Sequence, residues 1–328
     1  MHTTVTKTTI TVIIPTYCRP RDLKRCLEAI KKQTRPVDEL LVVVRDTDAE
    51  TWGFLKTFSL DRLPLRTVTV TVPGQVEALN AGLDAAKGDI ISITDDDAAP
   101  HADWLTRVEA HFLSDEGIGG VGGRDWVYFG TELYDAAPCE LVGRVKWFGK
   151  VIGNHHLGIG QPREVDLLKG ANMSFRRTAI ARLRFDERLR GKGAQVHNDL
   201  AFCLALRRAG WMLFYDPMVA VDHYQGQRFD EDQRHKFNSL ALINAVHNET
   251  FTLLEYLPPL RRLVFILWAI LVGTRTAPGF LQLLRFLPSE GLLGGKKLIA
   301  SLRGRWQGWQ TWEQSRIVKV SSSIKIGQ

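Results

Sequence analysis

The sequence predicts an α/β fold, a doubly wound, mostly parallel sheet flanked by helices, followed by a helical C-terminal extension. Three observations carry this reading. Apolar strand-like runs alternate with helix-period segments over residues 9–115, the pattern of a parallel sheet with crossover helices. The early runs end in polar side chains, and open α/β sheets collect ligands at the carboxyl ends of their strands. One run, Gly88-Asp89-Ile90-Ile91-Ser92-Ile93-Thr94-Asp95-Asp96-Asp97, stops at three consecutive carboxylates.

Taken in order, Thr9-Ile10-Thr11-Val12-Ile13-Ile14-Pro15 reads as a first strand, its β-branched residues suiting a buried pleat. The turn Thr16-Tyr17-Cys18-Arg19-Pro20 leads to a helix over 22–32, capped by Asp22 and amphipathic through Leu23, Leu27 and Ile30. Residues 40–44 form a second, wholly apolar strand that ends in Arg45-Asp46-Thr47-Asp48. A weaker third strand over 65–72 precedes Pro73-Gly74 and a helix over 76–87, stopped by Gly88. Ile90 to Ile93 follow as the central strand. Side chains alternate along extended chain, so Asp95 and Asp97 share a side and can offer oxygens to one hard divalent cation, while Asp96 points elsewhere.

After Pro100 a helix opens near Ala102, with Trp104, Leu105, Val108 and Phe112 on its apolar face, and 117–123 reads as a turn and short strand. Residues 124–165 read as loops and short strands that help shape an acceptor cleft, although ordinary packing is the stronger account of any single one of Trp126, Tyr128, Phe129, Trp147 and Phe148. Residues 165–177 form a glycine-containing turn and a short strand ending at Arg176 and Arg177, for which phosphate contact and plain surface charge both stay open. A loop then reaches His197-Asn198-Asp199, with a helix over 200–209 that starts at or near Asp199 and stops at Gly210. Strands over 211–215 and 219–223 follow, the second ending in His223, a metal ligand or a structural imidazole.

The chain carries 43 Lys+Arg and 36 Asp+Glu, but residues 251–328 alone hold 11 basic and 3 acidic side chains, which leaves the remainder almost neutral. A charge so localised argues against nucleic-acid binding and for one basic segment. The scattered Cys18, Cys26, Cys139 and Cys203 suit free thiols. Residues 1–9 are polar, without the apolar stretch of a secretory signal. No Gly-x-Gly-x-x-Gly or P-loop follows the first strand, which disfavours a dinucleotide site or triphosphate chemistry. The expected organisation is a domain over 1–230, with a nucleotide-binding half over 9–123 and an acceptor half over 124–230, then an extension over 231–328.

Within the extension, the apolar run 263–273 lies between Arg262 and Arg275 and is too short to cross a bilayer comfortably. Arg285, Lys296, Lys297, Arg303 and Arg305, with Trp268, Trp306, Trp309 and Trp312, suit an amphipathic or half-inserted attachment. The expectation is a peripheral or monotopic protein at the cytoplasmic face of the cell membrane. A buried helix of a small C-terminal subdomain is the alternative.

The order of these pieces resembles the inverting nucleotide-sugar glycosyltransferases of family 2, which have the GT-A fold. The matching pieces are Val12-Ile13-Ile14-Pro15-Thr16-Tyr17, Ala78-Leu79-Asn80-Ala81-Gly82-Leu83, the stretch 88–97, Lys169-Gly170-Ala171-Asn172-Met173-Ser174-Phe175-Arg176, Phe185-Asp186-Glu187, Asn198-Asp199-Leu200, Leu206-Arg207-Arg208-Ala209-Gly210 and His223. The resemblance implies that Pro15, Thr16, Tyr17, Arg19, Asp46, Asn80, Asp95, Asp96, Gly170, Ala171 and Asn172 surround the nucleotide sugar. It implies that Asp97, with His223, holds Mn²⁺ or Mg²⁺ and that Asp199 is the catalytic base. A UDP-sugar is the favoured donor and a glycan or lipid-linked glycan of the cell envelope the acceptor, as in polysaccharide biosynthesis. Two departures matter. Asn198 stands where the family often has Glu, which motivates the alternative of a catalytically silent nucleotide-sugar-binding scaffold at the membrane. Arg45-Asp46-Thr47-Asp48 replaces an Asp-rich, Gly-containing turn, so Asp46 and Asp48 both remain candidates for reading the base.

Overall fold

The computed structural model describes residues 7–61, 63–134, 136–233 and 236–326, with backbone only from 318 onward. The chain divides into two compact units. The first comprises residues up to 144, 152–185 and 202–227, and the second 145–151, 186–201 and 228 onward. The second unit thus takes in two segments from earlier in the chain besides the residues after 227.

In chain order the elements are β1 (Ile10–Thr16), α1 (Pro20–Lys31), β2 (Glu39–Arg45), α2 (Ala49–Thr57), β3 (Leu65–Val70), α3 (Gln75–Ala85), β4 (Ile90–Ile93), β5 (Ala98–Pro100), α4 (Trp104–Ser114), β6 (Ile118–Phe129), β7 (Glu132–Leu133), β8 (Arg144–Val145), β9 (Val151–Ile152), β10 (Arg163–Val165), β11 (Met173–Arg176), α5 (Arg177–Ile180), α6 (Asn198–Arg208), β12 (Met212–Tyr224), α7 (Ser239–Tyr256), α8 (Pro259–Leu271), α9 (Phe280–Glu290) and α10 (Leu292–Ile326). Among the described residues the first unit holds a ten-stranded sheet whose main path runs β10-β12-β6-β11-β4-β1-β2-β3. From β3 to β4 the strands are parallel, and β11 enters antiparallel between β4 and β6.

The two faces of the sheet follow from the side-chain period of two. Ile10, Val12 and Ile14 of β1 and Leu40, Val42 and Val44 of β2 form one cluster with Leu23, Cys26 and Leu27 of α1 and Trp104, Leu105, Val108 and Phe112 of α4. The alternate residues Ile13 and Val43 meet α3, where Gly82 lies against both. Helices therefore cover both faces, which is why β1 and β2 are apolar throughout.

Several elements differ from expectation. Helix α1 begins at Pro20 rather than near Asp22, because proline's fixed φ suits the first helical position; Asp22 lies in the first turn and Arg19 takes the cap position without a side-chain cap bond. The expected turn and short strand over 117–123 is the first half of the twelve-residue β6. The two strands expected over 211–223 are one, β12, with register shifts between Met212 and Leu213 and between Asp216 and Val221. The second unit contains α7 to α10 and the loop leading into α6. Among the described residues no helix is long and apolar enough to cross a membrane.

Candidate active site

The chain leaves the sheet at Thr94, whose amide donates to Ile13 O at 3.2 Å and whose hydroxyl donates to Ala171 O at 2.9 Å. The carboxylates come next. Immediately after them β5 pairs antiparallel with β12, in a register that places His223 opposite Ala98; Tyr224 N also donates to Asp97 O at 2.8 Å. This pairing brings a histidine from far along the chain beside Asp97. Its Nε2 stands 3.3 Å from Asp97 Oδ1, and ligand atoms of Asp95, Asp97 and His223 lie within 4.8 Å of one another.

Asp97 is aimed by two donors. Gly226 N reaches Oδ2 at 2.8 Å and Arg19 Nη1 at 3.2 Å, which directs Oδ1 toward His223. Behind His223, Nδ1 lies 3.4 Å from Asp125 Oδ2, and Asp125, on β6, also pairs with Lys169. Burial opposes charge on the His223 imidazole, but Asp125 and Asp97 outweigh it and raise its pKa to about 9. Burial likewise acts to raise the Asp125 carboxyl, yet Lys169 and His223 hold it well below the usual carboxylate range. Asp125 and Lys169 carried no role in the sequence reading. The available signal was an aspartate inside a strand of small and apolar residues, legible only once β6 is recognised as a strand.

Asp96 points away from this cluster, as the alternation predicts. It is fully buried, with Arg19 Nη2 at 2.6 Å from Oδ1 and with Arg19 Nε at 3.0 Å and Thr16 Oγ1 at 2.7 Å donating to Oδ2. Burial and the neighbouring Asp97 charge push its carboxyl up, against Arg19 and Thr16. Asp96 and Arg19 were expected around the donor. In the structure both help to fix the turn that presents Asp95 and Asp97.

Two asparagines are engaged in the same sense. Asn80 accepts from Phe185 N at 2.8 Å and donates to Phe185 O at 3.0 Å. Asn172 accepts from Trp104 Nε1 at 2.9 Å and donates to Val219 O at 2.7 Å. Both buried amides pin distant segments. Gly170 remains half-buried with open space at its Cβ position, and Ala171 is tied to the end of β4 through Thr94.

At the ends of the neighbouring strands, Pro15 is buried in β1 and Tyr17 is 40% exposed, with Arg45 stacked 5.8 Å from the Tyr17 ring centroid. Asp46 is exposed and accepts from Thr47 N at 2.8 Å. Asp48 is fully buried: one oxygen caps α2 through Thr51 N at 3.0 Å and the other accepts from Cys18 N at 2.6 Å. That second bond holds Cys18 at φ 52, a left-handed conformation costly for a non-glycine residue. Asp48 therefore shapes the turn, and Asp46 is the acid available to a ligand. Gln75, at the start of α3, donates to Asp95 Oδ1 at 3.4 Å.

Asp199 belongs to the second unit, in the first turn of α6 rather than at its cap, and is half-buried with Oδ1 accepting from Leu200 N at 2.8 Å. Asn198 donates to Ala194 O at 3.0 Å and Gln195 O at 3.2 Å. Gln195 and His197 have φ of 41° and 74°, so the approach to Asp199 is strained twice over. The loop is over-determined in compensation. Asn248 of α7 accepts from Arg190 N at 2.7 Å and donates to Arg190 O and Val196 O, each at 2.9 Å, and Asp230 accepts from Ala194 N at 2.8 Å. Arg176, once open as a phosphate contact, instead donates to Ile118 O, Phe112 O and Asp115 O around the end of α4.

A mostly parallel sheet flanked by helices, with an acidic turn and an imidazole at the carboxyl end of its central strand, is the GT-A architecture of nucleotide-sugar enzymes. Residues 11–208 match the family model described as "Glycosyl transferase family 2". The match spans more than half of the chain, and the chain belongs to that family. Among curated relatives, the glycosyltransferase AglE of Haloferax volcanii is 32% identical over 118 residues, 35% of this chain and 38% of the relative; the chain thus matches well under half the length of that protein. Among solved structures, TarS 1–349 of S. aureus in complex with UDP-GlcNAc aligns with a TM-score of 0.60 at 16% identity, covering 92% of this chain and 81% of that one. The mannosyltransferase PcManGT of Pyrobaculum calidifontis, in complex with GDP-Man and Mn²⁺, aligns with a TM-score of 0.54 at 16% identity, covering 92% and 88%.

Proposed function

We propose that the protein transfers a hexose-type sugar, with inversion and with a divalent cation, from a nucleoside diphosphate sugar to a hydroxyl of a glycan or lipid-linked glycan. The observation that carries this is the cluster of Asp95, Asp97 and His223 at the carboxyl end of β4. Ligand atoms of an octahedral ion stand about 3–4 Å apart, so the cluster needs little movement to close on one. Two carboxylates with an imidazole suit Mn²⁺ better than Mg²⁺, which prefers oxygen. The complexes of two fold neighbours with nucleotide sugars, one of them with Mn²⁺, support the same reading.

Held by Asp95, Asp97 and His223, such an ion would supply positive charge against the diphosphate that leaves. The chain's own residues do the rest. Arg19 and Gly226 N orient Asp97, while Asp125 accepts the Nδ1 proton of His223 and keeps Nε2 as the ligating nitrogen. Tyr17 and Asp46, at the ends of adjacent parallel strands, bracket the nucleoside. An acceptor hydroxyl is nearly unionised at neutral pH, and Asp199 takes its proton as the oxygen attacks the anomeric carbon. A single displacement from the face opposite the leaving group inverts that carbon, by the opposed-carboxylate logic of inverting glycosidases. Asn198 pins its loop and leaves the carboxylate of Asp199 in place, so the departure at 198 removes no base and does not favour a silent scaffold.

The test pairs two variants in a donor-hydrolysis and transfer assay with Mn²⁺. Asp199→Asn should lose transfer by about 10²–10⁴-fold with donor affinity kept, and Asp97→Asn should lose the cation-dependent part of donor binding. Full transfer by Asp199→Asn, or donor binding indifferent to both Mn²⁺ and Asp97, would overturn the reading.

A further inference from the structure

Two of the C-terminal helices, α8 and α9, each expose a stripe of leucines. On α8 the exposed leucines Leu263, Leu267 and Leu271 follow one another at four-residue spacing, while Phe265 and Ala269 on the opposite side are fully buried. None of the residues of α9 is buried, and Leu281, Leu284 and Leu287 line one stripe of it. These six leucines are between 48% and 64% exposed. A tight turn joins the helices, with Thr274 N donating to Ala277 O and Gly279 N to Val272 O. An amphipathic helix normally spends its apolar stripe on the core; here α8 spends its other side on the core and leaves the leucines outside.

The surroundings are basic. Between Glu255 and Glu313 the chain has eight Lys and Arg residues and one acid, Glu290. That acid is neutralised by Lys297 at 2.7 Å and Arg275 at 3.7 Å. Arg285 of α9, beside Leu284 in sequence, and Lys296 and Arg303 of α10 are exposed.

We propose that this α8–α9 face lies on an anionic lipid surface, its leucines entering the headgroup boundary and its cations meeting lipid phosphates. At 1.5 Å per residue α8 is about 20 Å long, short of the roughly 30 Å hydrocarbon core, so the helices lie along the surface and do not span it. A second copy of the chain is a poorer occupant: a two-fold interface would set the same basic patch against itself. The inference rests on the C-terminal helices alone and stands independently of the transfer chemistry.

Flotation of the full chain with vesicles decides it. Wild-type protein should float with phosphatidylcholine vesicles containing about one third phosphatidylglycerol and not with phosphatidylcholine alone. The double variant Leu267→Glu, Leu284→Glu, whose changes fall at exposed positions and whose fold is checked by circular dichroism, should partition at least about tenfold less. Equal flotation of wild type and variant, or no flotation of wild type, would overturn the proposal. So would light scattering that shows a wild-type dimer dissolved by the same two changes, since a second copy would then own the face.

Discussion

Asp125 controls how His223 is presented. Its carboxylate faces Nδ1, fixes the tautomer and is itself held by Lys169. Partners of this kind typically govern metal affinity by about 10–100-fold. If the proposed cation site is right, Asp125→Asn should weaken Mn²⁺ binding by about that factor in isothermal titration, and unchanged affinity would remove Asp125 from that proposed site. The sequence placed acids at the strand ends correctly, but it did not say which oxygens were already spent. Asp46 and Asp48 are two residues apart and look equivalent on paper; the difference is made by Cys18 and Thr51, whose amides occupy Asp48. The same holds for Asp96, taken by Arg19 and Thr16 across about eighty residues of chain, and for Asn80, taken by Phe185. Partners so distant in sequence leave no periodic trace near the residue they engage.

At the scale of elements, what could be read depended on whether a strand or helix carried its own pattern. β1, β2, β4 and α4 did, being continuous apolar runs or a clear apolar face. β6 did not, because its pattern is completed by others: a side chain on Gly120 would stand 2.6 Å from Leu213 Cδ2 and 3.1 Å from Phe175 Cδ1. Neighbouring strands fill the space that the glycine vacates. The pairing of α7 with α10 uses the same device. A Cβ on Gly308 of α10 would fall 2.7 Å from His247 O and 2.9 Å from Thr250 Cβ, so Gly308→Val should destabilise the protein by roughly 1–3 kcal/mol in urea unfolding. An unchanged midpoint would mean that the two helices can part at no cost. At this seam His247 is fully buried, with Nδ1 2.8 Å from Asn248 Oδ1 and Nε2 2.9 Å from Thr311 Oγ1. Burial lowers its pKa to about 4 from the ordinary 6.5. A folded-state value below the unfolded one means that the unfolded chain takes up the proton first, so this stability is present above pH 6.5 and is lost as pH falls toward 4. The urea midpoint should drop from pH 7 to pH 5 in wild type and drop less in His247→Gln; parallel curves would show that His247 is not the group responsible.

For the whole molecule, the distribution of charge separates two kinds of binding. Residues 1–250 hold 32 basic and 33 acidic side chains, against 11 and 3 in 251–328. On the proposed reading a nucleoside diphosphate at the almost neutral part would be met by a few directed groups and a cation, not by a broad field, and short-range buried contacts are screened little by salt. Attraction between an exposed basic face and a lipid surface decays within a Debye length, about 10 Å at 0.1 M salt and about 3 Å at 1 M. Raising salt should therefore strip the protein from anionic vesicles while leaving nucleotide binding nearly intact. Thermal unfolding reads the second quantity directly, because a ligand at about 100 times its Kd stabilises the native state by about 2.7 kcal/mol. With Mn²⁺, one of UDP, GDP or dTDP should raise the melting temperature by several degrees, in low and high salt alike. EDTA or Asp97→Asn should cancel the rise. If the shift survives chelation, or collapses with salt as vesicle binding does, then phosphate is being held by the basic segment, and the acidic cluster at the end of β4 is not where the donor binds.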